Sequence, residues 1–154
     1  MKRIRVLFRS CGDSTPGAMA AAFLAQCAGD RFEARYSREH AASCDSLAVR
    51  AMEEAWVDME ASPAAEESDG ACGGYDLVVT IDAAGRDEQS AEGGARWRIE
   101  VPPASVCGES GRLEAWRRVR AAISGKVIDL ARLFCGAQRL GHGLPGGEAP
   151  GCPA

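Results

Sequence analysis

The sequence is poor in histidine and has no cluster of metal-binding residues. His40 and His142 are the only histidines among 154 residues, and the seven cysteines form no C-x-x-C pair. We therefore expect no zinc site, and no other metal or cofactor is indicated. A Ser/His or Cys/His nucleophilic pair has few candidates, because His40 is expected in a loop and His142 in a Gly/Pro-rich segment.

The sequence also lacks an excess of positive charge and a long apolar run. Its formal net charge of −4 gives no general field that would attract nucleic acid or an anionic membrane, so neither is an expected partner. Near the N-terminus, Arg5 and Arg9 bracket only three apolar residues, too few for a signal sequence or a membrane span. We expect a cytoplasmic protein with reduced thiols.

What the sequence does contain is an alternation of strand and helix patterns typical of one α/β domain. We predict this domain over residues 1–135, followed by a flexible Gly/Pro-rich tail over residues 136–154. Predicted strands cover residues 3–9, 32–37, 75–82 and 96–101, and predicted helices cover residues 18–28, 45–56 and 110–134. The helix at 18–28 places Met19, Ala22, Phe23 and Cys27 on one side, and Asp45 or Ser46 caps the next helix.

This order of elements predicts a three-layer fold, a four-stranded, mostly parallel sheet with helices on both faces. In such sheets ligands bind beyond the carboxyl ends of the strands, where the loop at residues 10–17 lies. Ser14 or Thr15 as N-cap and Pro16 in the first helical turn are typical of an ordinary helix start. We expect Trp97 and Trp116 to be packing residues, and Asp82, Glu100 and Glu109 to be solvated or capping carboxylates.

The stretch VLFRSCGDSTPGAMAAAFL, residues 6–24, resembles the opening VLFLCTGNSCRSQMAEGFL of the low-molecular-weight protein tyrosine phosphatases and the thioredoxin-coupled arsenate reductases. Further on, LAVRAMEEAWVDM resembles the family's L-A-V-x-x-M-x-E-x-G-I-D-L, YDLVVTID resembles F-D-L-V-I-T, and RRVRAAI resembles F-R-R-V-R-D-E-I. The resemblance covers roughly residues 4–134 and implies the same α/β fold.

The three groups that carry the family's chemistry are absent. The resemblance implies a nucleophilic cysteine at the start of a C-x5-R-S phosphate loop, an arginine in that loop and an acidic Asp-Pro dipeptide after the fourth strand. The ungapped register places Ser10, Pro16 and Val101 at these positions. Cys11 starts no C-x5-R motif either, because Gly17 stands where its arginine would be. The further redox cysteines of the arsenate reductases are missing after Asp82.

The resemblance therefore implies a weak, degenerate anion loop formed by Ser10, Cys11, Gly12, Asp13, Ser14 and Thr15. Pro16 removes a backbone N–H from this loop, and an ionised Asp13 would repel a phosphate. Cys11 is a candidate reactive thiol, since the helix dipole and the loop amides favour its thiolate.

Two classes of function remain open. The first is a catalytically degenerate family member that acts as a binding or regulatory module for a protein partner or a small anion. The second is an enzyme of the phosphatase or arsenate-reductase type with unusual chemistry, or a redox protein that uses Cys11. The sequence leaves the partner and the oligomeric state undetermined.

Overall fold

The strands and helices follow the predicted order along the chain. The structure, a computed structural model, describes residues 2–11, 14–37, 44–61, 64, 74–82, 95–102 and 108–143. Within these ranges the elements are β1 (Ile4–Cys11), α1 (Thr15–Ala28), β2 (Phe32–Tyr36), α2 (Ser46–Glu54), β3 (Leu77–Asp82), β4 (Ala95–Arg98) and α3 (Glu109–Gly143), with a short 3₁₀ helix at Met59–Ala61. Gly12, Asp13, His40 and most of the polar segment 61–74 lie outside the described residues.

The sheet is parallel throughout, with the order β2-β1-β3-β4. The central strand β1 buries Val6, Leu7 and Phe8 in succession, as expected for a parallel strand covered on both faces. Phe8 pairs in register with Tyr36 on β2 and with Val79 on β3. The predicted fold class is confirmed.

Helix α1 packs against β1, β2 and α3, and it is buried almost all round. Its Ala18, Ala20, Ala21 and Ala22 are at most 1% exposed, because short side chains let the helix approach its neighbours closely. The sequence predicts that Cys27 shares one side of the helix with the buried Met19. This prediction is wrong for Cys27, which is exposed near the end of the helix. Burial still raises the pKa of its thiol above the ordinary value, against a smaller opposing effect of a backbone hydrogen bond.

Helix α2 begins as predicted. The Asp45 carboxylate accepts a hydrogen bond of 2.9 Å from the Leu47 N–H and so caps the helix. On the side facing α3, Arg117 donates two hydrogen bonds to the Glu54 carboxylate. These bonds lower the pKa of Glu54 below its usual value.

The end of α2 is a Schellman motif with tryptophan at the position that usually holds glycine. The Trp56 N–H donates to the Glu53 carbonyl, and the Val57 N–H donates to the Met52 carbonyl. Trp56 has φ of 60° and is 89% exposed. The family motif M-x-E-x-G-I-D-L has glycine at this position, so this chain replaces a favourable residue by a strained one.

Strand β4 is shorter than predicted and α3 is longer. β4 ends at Arg98 because β3 ends at its register partner Asp82, and only the Ile99 N–H reaches back to the Asp82 carbonyl. The predicted apolar face of α3 is buried from Leu113 to Leu130. α3 then continues past Phe134 to Gly143, since residues 137–140 are favourable helix formers.

The described residues test only part of the expectations about the chain end and the thiols. The side chains of residues 136–143, among them His142, and all of residues 144–154 lie outside the described part, so the flexible tail stays a prediction. Cys27, Cys44 and Cys135 are free thiols. Within the described ranges no helix is both long and apolar enough to cross a membrane, and no group of three or more His, Cys, Asp or Glu side chains could hold a metal ion.

Replacement of Trp56 by glycine should stabilise the protein. Trp56→Gly removes the left-handed strain and loses little burial, so we expect the free energy of unfolding to rise by about 1 kcal/mol. Denaturant titration measures this free energy of unfolding. Ala55→Gly is the matched control: Ala55 has φ of −97°, so glycine there should destabilise. Equal effects of the two substitutions would contradict the assignment of strain to Trp56.

Candidate functional site

The site predicted from the sequence lies at the edge of the sheet where the strands end. Because all strands are parallel, Cys11, Asp82 and Arg98 close β1, β3 and β4 at the same edge. Helix α1 starts there at Thr15. Among the described residues, the buried polar or charged side chains are Ser10, Thr15 and Asp82, which are 3%, 1% and 2% exposed. Buried polar groups are thus concentrated at the edge where ligands bind in such folds.

Ser10, at the position of the family's nucleophile, is engaged in a structural hydrogen bond. It lies on the same face of β1 as Val6 and Phe8, which is the face that packs against α1. Its Oγ accepts a hydrogen bond of 2.8 Å from the Gly17 N–H. A Cβ atom at Gly17 would lie 2.8 Å from this Oγ and 3.2 Å from the Phe8 carbonyl oxygen. The absence of a side chain at Gly17 therefore permits the contact between strand and helix.

This contact uses one of the few amides that α1 could offer to an anion. Ser14 is the N-cap residue, but its side chain makes no capping hydrogen bond. Pro16 is buried in the first turn and has no N–H to donate. Ser14 is thus the N-cap residue, as expected. Its hydroxyl, however, does not cap the helix. The capping oxygen comes from Ser10, on the preceding strand.

Thr15 connects the loop to the starts of the other helices. Its Oγ1 accepts a hydrogen bond of 3.3 Å from the Asp45 N–H. Asp45 also pairs with Arg112 of α3, with 2.5 Å between Oδ2 and Nη2. Arg112 therefore brings a guanidinium to this side of the molecule, but the group is held by a carboxylate. Sequence reasoning missed this link because its members are far apart along the chain.

Asp82 corrects an expectation from the sequence. It was expected to be a solvated or capping carboxylate, but it is buried, and its Oδ2 lies 3.2 Å from Arg96 Nη2 on β4. β3 continues to Asp82, so the side chain belongs to the sheet. Glu100 and Glu109 are exposed, as expected. Trp97 and Trp116 are buried, and the Trp97 ring packs 5.5 Å from that of Phe8, which confirms their packing role.

The position of the family's general acid carries an apolar side chain. Val101 and Pro102 follow β4 and are half-buried, and Val101 packs against the core. The side chain of Cys11 and the whole of Gly12 and Asp13 lie outside the described residues. Their roles as reactive thiol and anion ligands therefore stay predictions.

No protein-family model and no curated protein sequence matches this chain. Solved structures do match. An arsenate reductase in the phosphate binding state has a TM-score of 0.63 at 20% identity, over 82% of this chain and 95% of that one. An arsenate reductase from Archaeoglobus fulgidus has a TM-score of 0.58 at 24% identity, over 81% and 97% of the two chains.

A low-molecular-weight protein tyrosine phosphatase from T. tengcongensis has a TM-score of 0.57 at 20% identity, over 84% of this chain and 98% of that one. The chain has the fold of low-molecular-weight phosphatases and arsenate reductases. This phosphatase-like fold agrees with the resemblance of the sequence motifs. Ser10 lies near the end of β1, Pro16 in the first turn of α1, and Val101 after the end of β4.

Loss of the Ser10 hydroxyl should destabilise the protein. Ser10→Ala removes the cap and leaves the Gly17 N–H buried without its partner, so we expect a loss of about 1–2 kcal/mol in the free energy of unfolding. Ser14→Ala is the matched control and should change it by less than about 0.5 kcal/mol, because that hydroxyl makes no cap bond. Chemical denaturation of both variants measures this. A larger loss for Ser14→Ala would refute the capping role of Ser10.

Proposed function

We propose that this chain is a catalytically degenerate member of the low-molecular-weight phosphatase family and acts as a binding or regulatory module. The observation that supports this most directly is the hydrogen bond from the Gly17 N–H to Ser10 Oγ. The atom at the nucleophile position is buried and serves as a helix cap.

A nucleophilic role for Ser10 would need a base. Within the described residues no side chain that could remove its proton makes a hydrogen bond to Ser10, and a hydroxyl without a base stays protonated and unreactive. Loss of a nucleophile removes most of the rate in a comparable hydrolase, about 10⁶-fold. The hydrogen bond to Ser10 Oγ therefore supports a structural role for this residue.

The charge that stabilises a phosphoryl transition state is also absent from the position that the resemblance assigns to the loop arginine. Pro16 supplies neither a guanidinium nor an amide. The guanidinium of Arg112 is paired with Asp45, so its charge is already compensated. An anion in the loop would thus meet fewer donors and less positive charge than the family's loop provides. We infer that any anion site formed by Ser10, residues 11–13, Ser14 and Thr15 is weak.

The residue at the general-acid position also supports a loss of catalysis. Val101 cannot protonate a leaving oxygen, and the neighbouring Glu100 is exposed to water. The alternatives, an enzyme with unusual chemistry or a redox protein using Cys11, have no support from a described contact.

We expect purified protein to turn over neither an aryl phosphate nor, with thioredoxin, thioredoxin reductase and NADPH, arsenate. Release of nitrophenol and consumption of NADPH measure the two activities. Turnover that is abolished by Ser10→Ala or Cys11→Ala would overturn the proposal. Turnover that both variants retain would come from a contaminating enzyme, and the chain would then have no activity of its own.

A further inference from the structure

An open groove lies between the segment after β4 and one side of α3, and its volume is about 440 Å³. One wall is the extended segment 98–102. The other wall is formed by Ala115, Arg118, Val119 and Ala122, which share one side of the helix because they are spaced by three and four residues. The groove includes Val101 and Pro102, the segment that in the family carries the general acid.

The groove has an apolar floor and a basic rim. Ile99 and Val119 are 3% and 4% exposed, and Val101 and Pro102 are half-buried. Arg98 and Arg118 are exposed on the rim, and Glu100 is the one acidic residue among the described residues that line the groove. Two arginines against one glutamate leave the lining positive, although the whole chain has a formal net charge of −4.

These two arginines differ from others nearby. Arg96 pairs with Asp82, Arg112 with Asp45, and both Arg117 and Arg120 with Glu54. Arg98 and Arg118 make no ion pair or hydrogen bond with any part of the chain that the structure describes. Within the described residues their charge is therefore not compensated by a carboxylate.

The backbone of the same wall is also available. β4 is the outer strand of the sheet that the structure describes, and beyond it the Ile99 N–H bonds to the Asp82 carbonyl at 3.1 Å. The next backbone groups, those of Glu100, point to the opposite side of the segment and have no backbone partner within the described ranges. Unpaired groups on an extended edge segment can pair with an added strand.

We propose that this groove binds an extended acidic peptide segment of a partner protein. Its backbone pairs with Glu100, an apolar side chain lies on Val101 and Val119, and its carboxylates meet Arg98 and Arg118. This inference rests on the proposed function, since it gives the binding module a site and a class of partner. The occupant is acidic because the rim arginines have no acidic partner among the described residues, and it is extended because the wall offers main-chain groups.

The test uses a fluorescein-labelled synthetic peptide that alternates glutamate with valine, and a control peptide that alternates lysine with valine. Fluorescence anisotropy measures binding of each to the full chain. We expect the acidic peptide to bind, the basic peptide not to bind, and the affinity to fall as salt is added, since the rim is solvent-exposed.

Charge reversal then locates the site. Arg98→Glu with Arg118→Glu should weaken binding of the acidic peptide by about tenfold or more. Arg132→Glu is the matched control, because Arg132 is exposed on the same helix but does not line the groove, and it should change the affinity less than about twofold. Circular dichroism confirms that the surface variants fold.

Absence of binding by the acidic peptide, or an equal loss of affinity in Arg132→Glu, would overturn the proposal that the groove binds an acidic peptide. Neither result bears on the lack of enzymatic activity, which the turnover assays measure separately. Turnover dependent on Ser10 or Cys11 would instead overturn the proposed function, whatever the peptide does.

Discussion

The contact between Ser10 and Gly17 joins the central strand to the first helix, and the arrangement of the candidate site depends on it. A hydroxyl oxygen that is buried against a helix N-terminus satisfies an amide that would otherwise need a ligand or water. Such a bond contributes about 1 kcal/mol, and an unsatisfied buried N–H costs about 1–3 kcal/mol. The N-terminus of α1 is therefore supported from within the protein, where the family's loop would use an anion. The same oxygen atom thus links the packing of the fold to the proposal of a weak anion site.

Asp45 has a comparable role for the other helices. It caps α2 through Leu47, its backbone N–H meets Thr15 at the start of α1, and its carboxylate holds Arg112 at the start of α3. The nearby guanidinium is thus part of the framework. In the part of the chain that the structure describes, Arg98 and Arg118, beside the apolar groove, have no acidic partner. The distribution of compensated and uncompensated arginines is consistent with binding at the groove.

The parts of the fold that local sequence determines were predictable. The β-branched run YDLVVTID indicated β3, the Asp45 cap indicated the start of α2, and the apolar spacing from Leu113 to Leu130 indicated α3. The family resemblance implied the topology, which the structure confirms, and it implied that Ser10, Pro16 and Val101 stand at the family's catalytic positions, which stays a prediction. The family motif has glycine where this chain has Trp56, but only the left-handed backbone of the structure shows why this position matters.

Features that depend on contacts between distant residues could not be predicted in this way. The cap from Ser10 crosses from a strand to a helix, and the burial of Asp82 depends on Arg96 of the neighbouring strand. The exposure of Cys27 depends on how α1 packs, because an alanine-rich helix buries most of its surface and its periodicity does not define one buried side. The groove beside Val101 arises from the crossing of a strand exit and α3, which local patterns do not specify.

The most direct test of the central claim is a phosphate titration of ¹⁵N-labelled protein, followed through the Gly17 amide resonance. If Ser10 already occupies this amide, its resonance should show no saturable shift at phosphate concentrations near about 1 mM, where a binding free energy of about −4 kcal/mol would give half-occupancy. A saturable shift of the Gly17 amide with a dissociation constant well below that concentration would show that the loop still binds an anion and would contradict the account.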